Sequence, residues 1–292
     1  VKMMEMGRSD IGKPIDLVII SGNKIFDPAE VERRNLPFLL INNAIHPGEP
    51  CGVDASMMLA RNLLEDPKLR PLLDNLVIGS IPLYNIGGAL NRGYGSRANQ
   101  EGPLAYGFRG NARNLDLNRD FIKMDSRNAH AFANIFHRWL PDIFVDTHTT
   151  NGADYQATLT LIATRPEKLH PKVAKFQRDK LIPALQKTMD QSPFHMCPYV
   201  YSVGDVPDKG IAGFLDLPRY SSGYTALFQT MGFITEAHML KPFKNRVEAT
   251  LDFLTGLVGF TSRNGEEINE LVNKAREEAA AAKSFAVGWE LD

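Results

Sequence analysis

Cysteine is nearly absent: Cys51 and Cys197 are the only two in 292 residues. That is too few for a disulfide framework, and their distance in sequence excludes a Cys-x-x-Cys metal or redox pair. Charge of one sign is missing as well, since the formal net charge is -1 at pH 7. With no basic stripe and no aromatic stacking platform, the chain lacks the electrostatic footprint of a nucleic-acid-binding protein. No apolar run reaches the roughly 20 residues needed to cross a bilayer, so no membrane span is expected. The opening Val1-Lys2-Met3-Met4-Glu5 lacks the apolar centre of a signal peptide. A start at Val1 rather than Met reads as a trimmed chain, which points to a periplasmic or secreted protein. Internal repeats are not found.

What the chain does have is enough apolar material, 43% of its residues, for one large globular domain with a single core. Short apolar runs alternate with helical patterns. Pro14 to Ile20, Leu36 to Asn42, Leu76 to Tyr84, Ile143 to Thr147, Ala157 to Ala163 and Gly232 to Ala237 read as strands. Gly52 to Glu65, Ser126 to Leu140, Pro171 to Asp190 and Phe243 to Phe260 carry helical periodicity. Strands alternating with helices imply an α/β fold whose largely parallel or mixed sheet is covered on both faces. Two long irregular stretches, Ile86 to Asn114 and Gln191 to Gly223, hold aromatics and arginines suited to the walls of a binding site. Asn264 to Lys283 reads as a charged amphipathic packing helix. The expected division is a main domain over 1–262 and a C-terminal helical extension over 263–292.

His46 and Glu49 stand three residues apart just past the second apolar run, where an open α/β sheet places its ligands. Neutral imidazole and carboxylate are zinc donors, and a catalytic site uses three protein ligands and one open position. His148, in Asp146-Thr147-His148-Thr149 at another strand end, is the third ligand. Glu236 closes a further strand, where a carboxylate beside a metal would act as general base, taking a proton from water and passing it to a leaving amine. His238, two residues on, is a weaker candidate for the same region. Asn118 and Arg119, in the dense polar run Asn111 to Phe121, combine amide donors with a planar guanidinium and so suit two-point capture of a carboxylate. Cys51 reads as a small buried hydrophobe rather than a ligand or nucleophile.

Taken in order, His46-x-x-Glu49, Asp116-Leu117-Asn118-Arg119, His148 and Glu236 resemble the zinc carboxypeptidase family across most of the chain. Met6 to Ile15 is similar to that family's opening strand-turn segment, and Tyr84 to Gly88 to its Asn-Pro-Asp-Gly turn. The resemblance implies a sheet of about eight strands between helices, with one zinc ion held by His46, Glu49 and His148. It implies that Asp116 orients His46, that Asn118 and Arg119 bind a terminal carboxylate, and that Glu236 is the base. It also implies an arginine that polarises the scissile carbonyl, for which Arg109 and Arg113 are the alternatives. By the same resemblance a tyrosine closes over substrate, for which Tyr220 is the first choice and Tyr224 the second. Pro47-Gly48, where digestive members carry Ala-Arg, is more like the cytosolic and bacterial branches.

The leading expectation is therefore a metallocarboxypeptidase acting on a peptide with a free C-terminal carboxylate. Its rival is an aspartoacylase-like or succinylglutamate-desuccinylase-like amidohydrolase acting on an acyl-amino acid. A binding module that keeps the fold without catalysis, recognising peptide or peptidoglycan ends, and a cysteine hydrolase built on Cys51 complete the alternatives.

Overall fold

The strands that carry the candidate ligands are buried on both faces: every residue of Phe38–Asn43 and of Ile143–Thr149 is enclosed. Alternation then sorts their side chains into two cores. Leu39, Ile41, Ile143 and Val145 face one apolar cluster, while Phe38, Leu40 and Phe144 face another. The first is covered by helices Cys51–Glu65, Phe243–Arg263 and Gly265–Ala281, and by a helical run from Pro171 to Asp190 that includes a π-type turn at Gln177–Leu181. The second is covered by helix Arg127–Trp139, through Phe132, Ile135 and Phe136.

This computed structural model describes residues 1–284. Its main sheet has eight strands in the order Lys2–Arg8, Pro14–Ile20, Val77–Ile81, Phe38–Asn43, Ile143–Thr149, Met231–Ala237, Leu159–Ala163, Met196–Pro198. Phe38–Asn43 runs parallel to both Val77–Ile81 and Ile143–Thr149, and the latter runs parallel to Met231–Ala237. Leu159–Ala163 and Met196–Pro198 are also parallel. The pairings of Pro14–Ile20 with its two neighbours, and of Met231–Ala237 with Leu159–Ala163, are antiparallel. The expected mixed, mostly parallel α/β sheet is thus present. Because four adjacent strands share a direction, their carboxyl ends line one rim of the sheet.

Two strands lie outside the periodic signal. Lys2–Arg8 is a largely exposed edge strand without a clean apolar face, and Met196–Pro198 is only three residues long inside an irregular stretch. Helix Arg127–Trp139 starts where Ser126 accepts the Ala129 N–H at 3.0 Å, a side-chain N-cap. At the C-terminus, Ile268, Val272 and Ala275 of Gly265–Ala281 join the first core. Asn269 also donates to the Leu36 carbonyl at 3.2 Å, and Arg276 to that of Pro141 at 2.8 Å. Among the described residues this helix is part of the domain's packing, and residues 285–292 of the expected extension lie outside them. No helix among the described residues is long and apolar enough to cross a membrane.

One close approach fixes the rim. A Cβ on Gly52 would stand 2.0 Å from Thr147 Oγ1, so only glycine lets the start of helix Cys51–Glu65 press onto strand Ile143–Thr149. Thr147 cannot yield easily, because its hydroxyl donates to Asn43 Oδ1 at 2.9 Å. Gly52→Ala is expected to cost about 1–3 kcal/mol of stability by overpacking, read as a lower melting temperature. An unchanged melt would contradict this contact.

Candidate active site

Strand Phe38–Asn43 ends in a turn that begins at Ala44, held in the left-handed region at φ 57°. A left-handed alanine costs roughly 1–2 kcal/mol, and here it redirects the chain so that His46 and Glu49 face the rim. The Glu49 N–H closes the turn on the His46 carbonyl at 2.9 Å. Both side chains are buried. Neighbouring strand Ile143–Thr149 carries His148 on the same face as Asp146, two residues earlier.

The two imidazoles are oriented alike. His46 Nε2 meets Asp116 Oδ1 at 2.9 Å, and His148 Nε2 meets Asp146 Oδ2 at 2.9 Å. Each ring therefore turns its Nδ1 inwards, His46 to 3.2 Å from Glu49 Oε1 and His148 to 3.1 Å from Glu49 Oε2. One donor atom from each of His46, Glu49 and His148 falls within 4.8 Å of the others, a group able to hold a metal ion. The donor set fits zinc, since two imidazoles and a carboxylate are the protein ligands of zinc peptidases and carboxylates on the far ring nitrogens fix the tautomer. Burial works against the Glu49 carboxylate, but His46, Arg97 and His148 outweigh it and hold it well below the usual carboxylate range.

Glu236 lies near the end of strand Met231–Ala237, in register opposite His148. Burial above all raises its carboxyl to about 7, with His148 acting in the opposite sense. A narrow cleft of about 70 Å³ opens between these groups. His46, Glu49, His148 and Glu236 line it together with Arg109, Asn118, Arg119 and Tyr220. Asn118 and Arg119 occupy the single 3₁₀ turn Leu117–Arg119, which Asp116 caps by accepting the Asn118 N–H at 3.0 Å. Asp116 thus joins the turn to His46. The Arg119 guanidinium lies 4.6 Å from the centre of the Tyr220 ring, and Arg109 donates to Asp116 Oδ2 at 3.0 and 3.2 Å while its Nη1 stands 3.6 Å from Glu49.

Two candidates lie elsewhere. Arg113 is more than half exposed and donates to the Asp125 carbonyl at 2.8 Å, because the tight turn at Asn111–Asn114 points it away from the cleft. Tyr224, expected to contact substrate, is buried in the second core among Phe121, Phe132 and Phe136, with its hydroxyl 2.8 Å from His137 Nε2. Helix Ser221–Ala226 turns that face inwards and leaves Tyr220, its N-cap, at the cleft. Cys51 is fully buried, and burial raises its thiol above the ordinary value, which removes the thiolate a nucleophile needs. His238 is likewise enclosed, its Nδ1 accepting the Leu240 N–H at 3.1 Å.

Sequence reasoning passed over Asp146 and Arg97. The first was legible, since Asp-x-His on one strand puts both side chains on the same face. Arg97 was not: it lies in a loop, and its donation to Glu49 Oε1 at 2.8 Å spans residues far apart in the chain.

Comparison with known proteins gives the family and the fold. A model of the zinc carboxypeptidase family matches residues 1–209, which includes all three candidate ligands and ends before Glu236. No curated protein matches by sequence. Among solved structures, a metallo-carboxypeptidase from Burkholderia cenocepacia superposes with a TM-score of 0.63 at 17% identity, over 88% of this chain and 63% of its own. A metallo-carboxypeptidase from Pseudomonas aeruginosa, in complex with (2-guanidinoethylmercapto)succinic acid, gives 0.63 at 15% identity over 88% and 64%. Carboxypeptidase A from Helicoverpa armigera gives 0.60 at 16% identity over 97% and 70%. The chain spans less than two thirds of the length of both bacterial structures, and at these identities the likeness is one of fold. With a family model covering most of its length, this chain belongs to the zinc carboxypeptidase family.

Proposed function

We propose that the protein is a zinc-dependent metallocarboxypeptidase that hydrolyses the peptide bond next to a free C-terminal carboxylate. The observation that carries this reading is a single cleft lined by His46, Glu49, His148, Glu236, Asn118 and Arg119. His46, Glu49 and His148 would hold one zinc ion, whose chemistry when bound is Lewis acidity: it polarises a carbonyl and brings the pKa of water to about 7. Asn118 and Arg119 would anchor the terminal carboxylate, the guanidinium offering a two-point fork. Glu236 would take a proton from the attacking water and return it to the leaving amine. A carboxyl raised to about 7 suits that exchange, because a general base works best with a pKa near the working pH.

Tyr220 lines the cleft with its ring against Arg119, a position from which it would cover a bound C-terminus. Arg109 is the residue for carbonyl polarisation, being at the cleft while Arg113 is not. Arg109→Gln is expected to lower kcat by about 10²–10³-fold, as loss of one oxyanion donor does elsewhere, and Arg113→Gln to leave it near the parent value. Steady-state kinetics on both variants checks this; a reversed order would reassign the role.

The substrate test compares a peptide with its C-terminal amide, and both with N-acyl amino acids. Hydrolysis of the free peptide alone supports the carboxypeptidase reading. Turnover of N-acyl amino acids with peptides left intact would replace it with the amidohydrolase reading, and binding of peptide ends without turnover would replace it with the binding module.

A further inference from the structure

Arg97 belongs to neither a helix nor a strand. It lies in the loop between the short paired strands Arg92–Gly93 and Tyr106–Gly107, yet its side chain is nearly buried against the Glu49 carboxylate. All three guanidinium nitrogens are used. Nη1 donates to Glu49 Oε1 at 2.8 Å, Nη2 to the carbonyls of Thr150 at 2.6 Å and Thr149 at 3.2 Å, and Nε to Gln100 Oε1 at 2.8 Å. Desolvating a guanidinium is costly unless its donors are matched, and here they are matched by Glu49, by the consecutive carbonyls of Thr149 and Thr150, and by Gln100 of the same loop.

The loop is clamped from behind. Gln100 donates to the Gly48 carbonyl at 2.9 Å, and the Tyr106 hydroxyl donates to the Gln100 carbonyl at 2.6 Å. Buried Arg246 donates to the carbonyls of Glu101 and Gly102. Gly48, between the two ligands, leaves room for the arginine stem: a Cβ there would stand 3.1 Å from Arg97 Cγ and 2.9 Å from the Gly107 carbonyl oxygen. On the other side of the carboxylate, Glu49 Oε2 accepts the Thr149 N–H at 2.9 Å. The two oxygens of Glu49 are therefore pinned by two chain segments distant in sequence.

We propose that Arg97 is a positioning residue for Glu49 as a metal ligand, fixing the plane of its carboxylate and compensating part of its charge. The assignment rests on the reading of His46, Glu49 and His148 as a zinc site. A loop that merely packed on the surface would not need a guanidinium placed on a buried carboxylate, whereas hydrogen-bonded partners behind metal ligands tune affinity.

The test measures zinc affinity of the full chain by competition with a chromogenic chelator, together with the visible spectrum of the cobalt-substituted protein. Arg97→Gln is expected to weaken zinc by about 10–100-fold and to change the cobalt spectrum. Arg97→Lys should recover only part of the affinity, because an ammonium provides charge without the fork. Tyr106→Phe, which loosens the loop without removing the guanidinium, should weaken zinc much less than Arg97→Gln does. Parent-like affinity and spectrum in Arg97→Gln overturn the assignment, as does an equal loss in Tyr106→Phe. Should Arg97→Gln fail to fold, Arg97→Lys decides alone, and parent-like values there overturn the role of the fork. A parent chain that binds no zinc overturns the metal-site reading itself.

Discussion

Glu236→Gln is expected to lower kcat by up to about 10⁴-fold, the upper range for removal of a general acid–base group, with zinc content and melting temperature close to those of the parent. The amide keeps the size of the side chain and abolishes its proton exchange. Little else should move, because Glu236 is held by its backbone: its strand pairs with Ile143–Thr149 on one side and Leu159–Ala163 on the other, and its carbonyl accepts the Thr160 hydroxyl at 3.2 Å. KM should change far less than kcat, since the groups assigned to the substrate carboxylate, Asn118 and Arg119, stand on a separate 3₁₀ turn. Kinetics and metal analysis on the same preparation check the result. A variant that turns over like the parent, or that loses activity only because it has lost zinc, would remove Glu236 from the base role.

The part of the candidate site that is legible in the sequence is the part written at strand ends. His46, Glu49, His148 and Glu236 each follow an apolar run short enough to be a buried strand, and parallel pairing then brings the ends together without further information. Asp116 to Arg119 was readable as a polar motif and by resemblance. Loops were a different matter. Arg97 has no periodic neighbours, and its contact with Glu49 depends on how the 92–107 segment folds back, which Gly48, Gly107 and Arg246 determine jointly. The stretch Arg219 to Tyr224 offers two tyrosines, and its spacing does not show which way Tyr224 faces. In the structure a six-residue helix turns it into an aromatic cluster. Arg109 and Arg113 stay alternatives for the same reason, since spacing alone does not show which arginine the turn at Asn111–Asn114 sends outwards.

Chelation of zinc is expected to abolish hydrolysis and leave the protein folded, with activity restored by one equivalent of zinc per chain. The loss of activity follows from removal of the Lewis acid. Survival of the fold follows from how the ligands are held. Metal-dependent domains such as zinc fingers unfold without their ion because nothing else organises the ligands. Here His46 rests on Asp116, His148 on Asp146 and Glu49 on Arg97 and the Thr149 N–H, so each ligand has a protein partner of its own. The two apolar clusters that flank the sheet do not include the ligand side chains. Zinc should therefore stabilise only by linkage, about 2.7 kcal/mol at a free concentration 100 times Kd. For a domain of this size that corresponds to a melting shift of about 4–5 °C. Calorimetry with and without zinc measures it, and far-ultraviolet circular dichroism follows the helices. Collapse of the helical signal on chelation would mean that the metal organises the rim, and the ion pairs behind the ligands would then be consequences of binding rather than its preparation.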